Sequence, residues 1–372
     1  MQVRITERIQ KLRRVLAEKN IDTFMVLIDH NRRYLSGFTA EDALFDEIAG
    51  ALFIGPQNLI LATDSRYELQ AAAEAPQYDV FCYPKGLIPS LPDILAKMHT
   101  RILGYEHHRL SVKQHAQIVK ALEGEHLEIQ LAGLDGTVEA LRTIKDQAEI
   151  DKTRAALALA ESAFTDVIAV LQPGVQEKEL AWSLEQGMRT AGAQALSFPP
   201  IVASGPNSAM PHAIPGDRRL QAGEPLLFDW GARLNGYCSD ISRTLYIGTP
   251  DARFTHIYQI VRDAQLKAID AIRAGVNARA VDRVARDHIA AAGFKDNFGH
   301  GLGHGTGLAV HEPPRLGPLK DVILEEGMVC TVEPGIYLPS WGGVRLENMV
   351  VVRRDGAEVL NTLGLDDYVL SR

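Results

Sequence analysis

The sequence predicts a two-domain protein, an α/β layer domain followed by a larger α+β domain, and three observations carry that expectation. A length of 372 residues exceeds what one hydrophobic core comfortably serves. The first third alternates short apolar runs with helical patterns, whereas the rest separates long helices from strand-like, glycine-rich segments. Between them, residues 132–137 hold two glycines and an Asp-Gly pair, the chemistry of a turn or linker. The expected division is residues 1–131, a linker at 132–137, and residues 138–372.

In the first domain a helix is expected over residues 4–18, where Ile5, Ile9, Leu12, Val15 and Leu16 recur on one face. Strands are expected at 24–28, 51–54, 58–62, 79–83, 101–104 and 127–131, with helices between several of them. In the second domain, helical patterns cover 148–171, closed by Pro173-Gly174, and then 177–191, 252–274 and 278–292. Residues 226–230 and 237–247 flank Asn235-Gly236, a dipeptide that tolerates the positive φ both hairpin turn positions need. If that pair is the turn, Gly231 opposes Asp240. Asp229 is then the diagonal neighbour of Asp240, roughly 7 to 8 Å away at the backbone. Residues 331–333 and 345–347 flank a loop centred near Ser340, which sets Glu333 opposite Glu347 if the strands pair symmetrically. Pro334, Pro339, Gly342 and Gly343 leave that register open.

Composition narrows the function. Apolar residues at 46% and charged residues at 23% are ordinary for a soluble enzyme, and no long uncharged apolar run suits a membrane span. The first eleven residues carry Arg4, Glu7, Arg8 and Lys11 where a cleaved signal would be apolar, so the cytoplasm is the expected compartment. Cys82, Cys238 and Cys330 form no CxxC pair and sit in apolar stretches, as structural thiols do. The net charge of −8 comes without basic blocks, which disfavours nucleic acid and favours a small-molecule or peptide substrate.

The chemistry concentrates in Asp229, Asp240, His304, Glu333 and Glu347. Four hard carboxylates and one imidazole suit a pair of divalent first-row ions such as Mn or Co, because thiolates would select otherwise. Leu226, Leu227, Phe228 and Ile241 flank the aspartates, so these carboxylates are expected partly buried, where an unpaired charge is costly. Each residue alone has a blander reading: an aspartate beside a hairpin turn, a surface glutamate, a histidine satisfying hydrogen bonds. The glycine-rich run 299–307 lacks the Lys-Ser/Thr of a phosphate loop, and His311-Glu312-Pro313-Pro314 lacks the second histidine of HExxH.

Read together, Asp229-Trp230-Gly231, the 237–244 segment, Gly303-His304-Gly305-Thr306-Gly307, Val310-His311-Glu312-Pro313, Val332-Glu333-Pro334-Gly335 and Val344-Arg345-Leu346-Glu347 resemble the pita-bread metallopeptidases, in the branch of Xaa-Pro dipeptidases (prolidases) and Xaa-Pro aminopeptidases. Pro211-His212, the 141–145 stretch and the 31–38 segment extend the resemblance over essentially the whole chain, most weakly between residues 64 and 128. It implies a pita-bread catalytic domain preceded by a smaller creatinase-like domain, and cleavage of the bond before proline by two divalent ions. Asp240 and Glu347 would bridge the ions, Asp229 would chelate one, and His304 with Glu333 would complete the other. Glu333 would also carry the proton to the leaving nitrogen, His212 and His311 would hold the carbonyl oxygen, and Arg345 would orient Glu347 or the substrate. The family also implies a homodimer. Xaa-Pro dipeptides are the expected substrates, their carboxylate gripped by cations from among Arg345, His212, Arg32 and Arg33. The rival readings are an Xaa-Pro aminopeptidase, a methionine aminopeptidase, whose simplest versions lack so large a first domain, and a non-catalytic scaffold, which should have lost ligands.

Overall fold

The helix expected at the start forms as α1 (Gln2–Glu18), with Ile5, Ile9, Leu12 and Leu16 buried on one face. The computed structural model describes residues 2–42, 44–319, 321–366 and 368–370, and its contacts divide the chain into the units Met1–Arg142 and Thr143–Arg372. The first unit continues with β1 (Thr23–Val26), α2 (Asp29–Ser36), β2 (Ala51–Ile54), β3 (Leu59–Thr63), α3 (Glu68–Glu74), β4 (Asp79–Cys82), α4 (Leu87–Lys97), β5 (Ile102–Glu106), α5 (Val112–Gly124) and β6 (Gln130–Leu134). These strands make one sheet in the order β4-β3-β2-β1-β5-β6, parallel except for β2, which runs against both its neighbours. β1 and β2 are buried at every position, as strands covered on both faces must be, and apart from Thr23 they read as continuous apolar runs.

The expected linker at 132–137 is not one. Residues 132–134 are the end of β6, and Thr137 opens α6 (Thr137–Thr143), which Tyr34 and Asn31 tie to the first unit through Leu141 O and Glu139. Gly133 is small for a packing reason: a Cβ there would lie 3.2 Å from Cβ of His107. The glycine marks a close contact, and only Gly136, at φ +59, serves the turn.

The second unit begins with α7 (Gln147–Val170), capped by an Asp146/Glu149 capping box, and α8 (Glu177–Thr190). There follow β7 (Ala195–Leu196), β8 (Ile201–Ser204), β9 (Pro225–Trp230), β10 (Ala232–Leu234), β11 (Tyr237–Cys238) and β12 (Ile241–Ile247). After α9 (Ala252–Ala271) and α10 (Ala278–Ala291) come β13 (Gly303–Gly305), β14 (Glu312–Leu316), β15 (Val329–Val332), β16 (Gly335–Leu338), β17 (Gly342–Arg345), β18 (Asn348–Val352), β19 (Ala357–Val359) and β20 (Val369–Leu370). Two antiparallel layers result, one ordered β20-β12-β9-β8 with β20 parallel to β12, the other β14-β13-β15-β18-β19. α7 and α8 share a core with the first layer, where Trp230 stacks on Phe164 at 4.2 Å and donates its indole N–H to Ala160 O. α9 and α10 share a core with the second. This is the expected α+β arrangement, with the carboxylate-bearing strands inside the helices.

Both hairpin registers form as expected. Asn235 and Gly236 have φ of +52° and +83°, and Leu234 pairs Tyr237 while Trp230 pairs Ile241. On that register Asp229 lies opposite Ser242, two residues along the strand from Asp240. In the second hairpin Val332 pairs Asn348 on one side of the glutamates and Gly335 pairs Arg345 on the other, which brackets Glu333 opposite Glu347.

Candidate metal centre

The two hairpins meet edge to edge. Glu347 N–H donates to Ser242 O at 3.1 Å, and Thr244 Oγ1 exchanges hydrogen bonds with the backbone of Arg345. That junction carries the Asp229–Asp240 face onto the Glu333–Glu347 face. His304 arrives from β13, whose glycines let the strand press against β15: a Cβ on Gly303 would come within 2.1 Å of Thr331 O. The glycine-dense run thus does what such runs do, although Gly299 packs against nothing within 4 Å.

The ligand atoms of Asp240, His304 and Glu347 all lie within 4.8 Å of one another, and all three side chains are buried. His304 Nε2 is 3.5 Å from Asp240 Oδ2 and 3.4 Å from Glu333 Oε1. Its Nδ1 faces Gly305 O at 3.1 Å, so the proton belongs on Nδ1 and the Nε2 lone pair faces the carboxylates. Thr331 Oγ1 donates to Glu333, and Ser242 Oγ donates to Glu347 at 2.9 Å. Asp229 takes Arg345 Nη2 at 2.6 Å. Two buried oxygens, Asp229 Oδ1 and Glu347 Oε1, have no hydrogen-bond partner among the described residues.

Without cations this cluster is electrostatically unfavourable. Burial, then repulsion from Glu347, Asp229 and Glu333, holds the Asp240 carboxyl well above its ordinary range, and Glu347 is raised in the same way. Burial pushes Glu333 up to about 7 and depresses His304 to about 3. An oxygen-rich set with one neutral imidazole, two orphaned carboxylate oxygens and this much unscreened repulsion fits divalent cations.

The remaining expected residues fall into two groups. His311 is exposed, its ring edge-to-face on His304 at 4.3 Å, and burial lowers its pKa. His212 is exposed too, on a segment that Arg345 Nη1 holds by Pro211 O at 3.1 Å. Arg345 itself is 2% exposed and stands behind the cluster: besides Asp229 and Pro211 it donates to Ser242 Oγ and to Tyr337 Oη, which in turn meets His300 Nε2 at 2.9 Å. It holds Asp229 directly and reaches Glu347 through Ser242, and four of its five N–H donors are taken by these neighbours. Arg32 is fully buried, with both Nη groups on Asp42, Leu27 O and Ala40 O. Burial of both arginines on protein acceptors disfavours them for the expected carboxylate grip.

Sequence reasoning missed a better-placed cation. Residues 311–316 alternate exposed and buried, so His311, Pro313 and Arg315 share one face, and Arg315 pairs across the ladder with His304. Arg315 is exposed, and its charge is felt at His304, His311 and Glu333. Period-two alternation after His311 was the available signal. The same alternation marks Ser242 beside Asp240 and Thr331 beside Glu333. The chain also holds a cavity of about 820 Å³, lined by Leu27, Tyr83, Leu91 and Ile118 in the first unit, with no residue of the cluster.

The profile of metallopeptidase family M24 matches residues 151–354, and that of the creatinase/prolidase N-terminal domain matches residues 8–144. An Xaa-Pro dipeptidase of Pyrococcus furiosus is 33% identical over 356 residues, covering 95% of this chain and 97% of that one. The structure is similar to an Xaa-Pro dipeptidase from Bacillus anthracis, with a TM-score of 0.92, 36% identity and coverage of 98% and 100%. It is also similar to an X-Pro aminopeptidase from Thermotoga maritima, with a TM-score of 0.86, 35% identity and coverage of 94% and 98%.

Proposed function

The chain belongs to metallopeptidase family M24, and from that premise we propose that it is an Xaa-Pro dipeptidase working with two divalent ions, Mn or Co. The observation that carries the reading is the buried convergence of Asp240, His304 and Glu347 with Glu333 and Asp229, two of whose oxygens are orphaned. These five residues would hold the ions. Bound there, the ions would lower the pKa of water and polarise the scissile carbonyl. Glu333, oriented by Thr331, takes the proton of the attacking water and returns it to the prolyl nitrogen, which could not leave as an anion. His311 and His212, both exposed beside the buried cluster, donate to the carbonyl oxygen as it gains charge. Cytoplasmic placement and a homodimer belong to the same reading; no helix among the described residues is long and apolar enough to cross a membrane.

A dipeptidase must recognise the free carboxylate of its prolyl residue, and a guanidinium does so with paired, charge-assisted bonds. Arg315 makes no ion pair among the described residues and stands on the face of His304, so it is the group assigned to that anion. Steady-state kinetics should show an Xaa-Pro dipeptide outperforming its amide and the Xaa-Pro-Yaa tripeptide by about ten- to a hundredfold in kcat/KM. Arg315→Met should erase most of that preference by raising KM for the dipeptide alone. A tripeptide that is the equal or better substrate makes the protein an Xaa-Pro aminopeptidase.

A further inference from the structure

One buried charge pair in the second unit takes no part in the scheme above. Lys145 Nζ lies 3.3 Å from Glu312 Oε2, with the two side chains 1% and 3% exposed. Paired charges are not buried for cohesion, since apolar side chains of the same volume usually serve as well. What an ion pair adds is direction, and here the directions lead to His311. Glu312 follows His311 in sequence, and its Oε1 accepts the Ala309 N–H at 2.8 Å. Its carboxylate fills the space a side chain at 307 would need: a Cβ on Gly307 would lie 2.9 Å from Oε1. The loop folded on this carboxylate begins at His304, past a bulge where Gly305 pairs Glu312, and ends at His311. Gly307 O on its other side takes the Cys238 N–H at 2.7 Å, two residues before Asp240. Lys145 is anchored independently, its N–H on Gly327 O and its ammonium on Thr143 O.

We propose that the Lys145–Glu312 pair is a positioning device that holds the 305–311 loop and thereby sets the His311 ring against His304. Lys145 fixes the carboxylate from behind, the carboxylate fixes Ala309 and Gly307, and the shortened loop leaves His311 one orientation over the cluster. The proposal rests on the metallopeptidase reading only for the task it gives His311.

The test is a mutant cycle. The charge-free variant Lys145→Met/Glu312→Leu strands no ion, and Lys145→Arg keeps the charge and a donor. In metal-free protein, amide exchange across 305–311 should run about tenfold faster in the charge-free variant and stay near wild type in Lys145→Arg. In Mn-loaded protein the charge-free variant should lose about tenfold or more in kcat on an Xaa-Pro dipeptide, with KM and metal content little changed. In a His311→Ala background the same change should cost less than about twofold, because the pair acts through that ring. Equal losses in both backgrounds, unchanged loop exchange, or failure of the charge-free variant to fold would each overturn the positioning role, the last by assigning the pair to the stability of the unit. A wild-type enzyme that leaves Xaa-Pro dipeptides intact overturns the dipeptidase reading instead, and the exchange measurement still tests the pair.

Discussion

Asp240 sits where three like charges converge, 3.5 Å from His304 Nε2 and raised by burial before the neighbouring carboxylates. In the metal-free protein it is a liability, because each buried carboxylate makes the next harder to ionise. Asp240→Ala should therefore strip most of the bound metal while the melting temperature of the metal-free protein holds or rises. Metal content by mass spectrometry, read beside a melting curve, checks both halves; two tightly held ions in the variant would remove Asp240 from the ligand set. Arg345 shows the complementary residue-scale point. The family resemblance left open a substrate contact or a ligand support, and the bonds to Asp229 and Ser242 place its guanidinium against two residues of the cluster's surroundings.

At the scale of elements, β13 is the piece with the least freedom. Thr331 receives His304 N–H on Oγ1 at 3.0 Å and donates from the same oxygen to Glu333, so the spacing of β13 and β15 sets the distance between two candidate ligands. Gly303→Ala would push a Cβ to 2.1 Å from Thr331 O and 2.9 Å from Thr331 Oγ1. We expect a loss of about 1 to 3 kcal/mol by chemical denaturation, the usual cost of overpacking, together with weaker metal binding in a titration. Gly299→Ala meets nothing within 4 Å and is the control. Equal stability of the two variants would show that β13 can shift without consequence.

For the molecule as a whole, the cluster joins two layers of the second unit through ligands on separate hairpins and on β13, so ions bound there would stabilise that unit. A ligand present at a hundred times its dissociation constant adds about 2.7 kcal/mol, which in a unit of this size moves the melting temperature by roughly 5–10 °C. Calorimetry with and without a chelator should show the melting transition of the second unit falling by that amount. A melting profile indifferent to chelation would mean that no ion occupies the cluster in the folded state.

Much of this was legible in the sequence because local chemistry specified it. Asn235-Gly236 sets a turn, the turn sets a register, and the register makes Asp229 a neighbour of Asp240; symmetry about Ser340 does the same for Glu333 and Glu347. Helical periodicity likewise placed α1 and α7, and short apolar runs placed the six strands of the first unit, within a few residues. Where the expectation failed, at residues 132–137, a glycine taken as flexibility was in fact room for the His107 ring, a distinction that only the packed partner can reveal. The tertiary structure alone decided that the two hairpins abut through Ser242 and Glu347, that Arg345 and Arg32 are buried on protein acceptors, and that Arg315 pairs across the ladder with His304. Contacts between segments a hundred residues apart depend on which faces pack together, and hydrogen-bond geometry, not residue type, determines whether an arginine is free to meet a substrate.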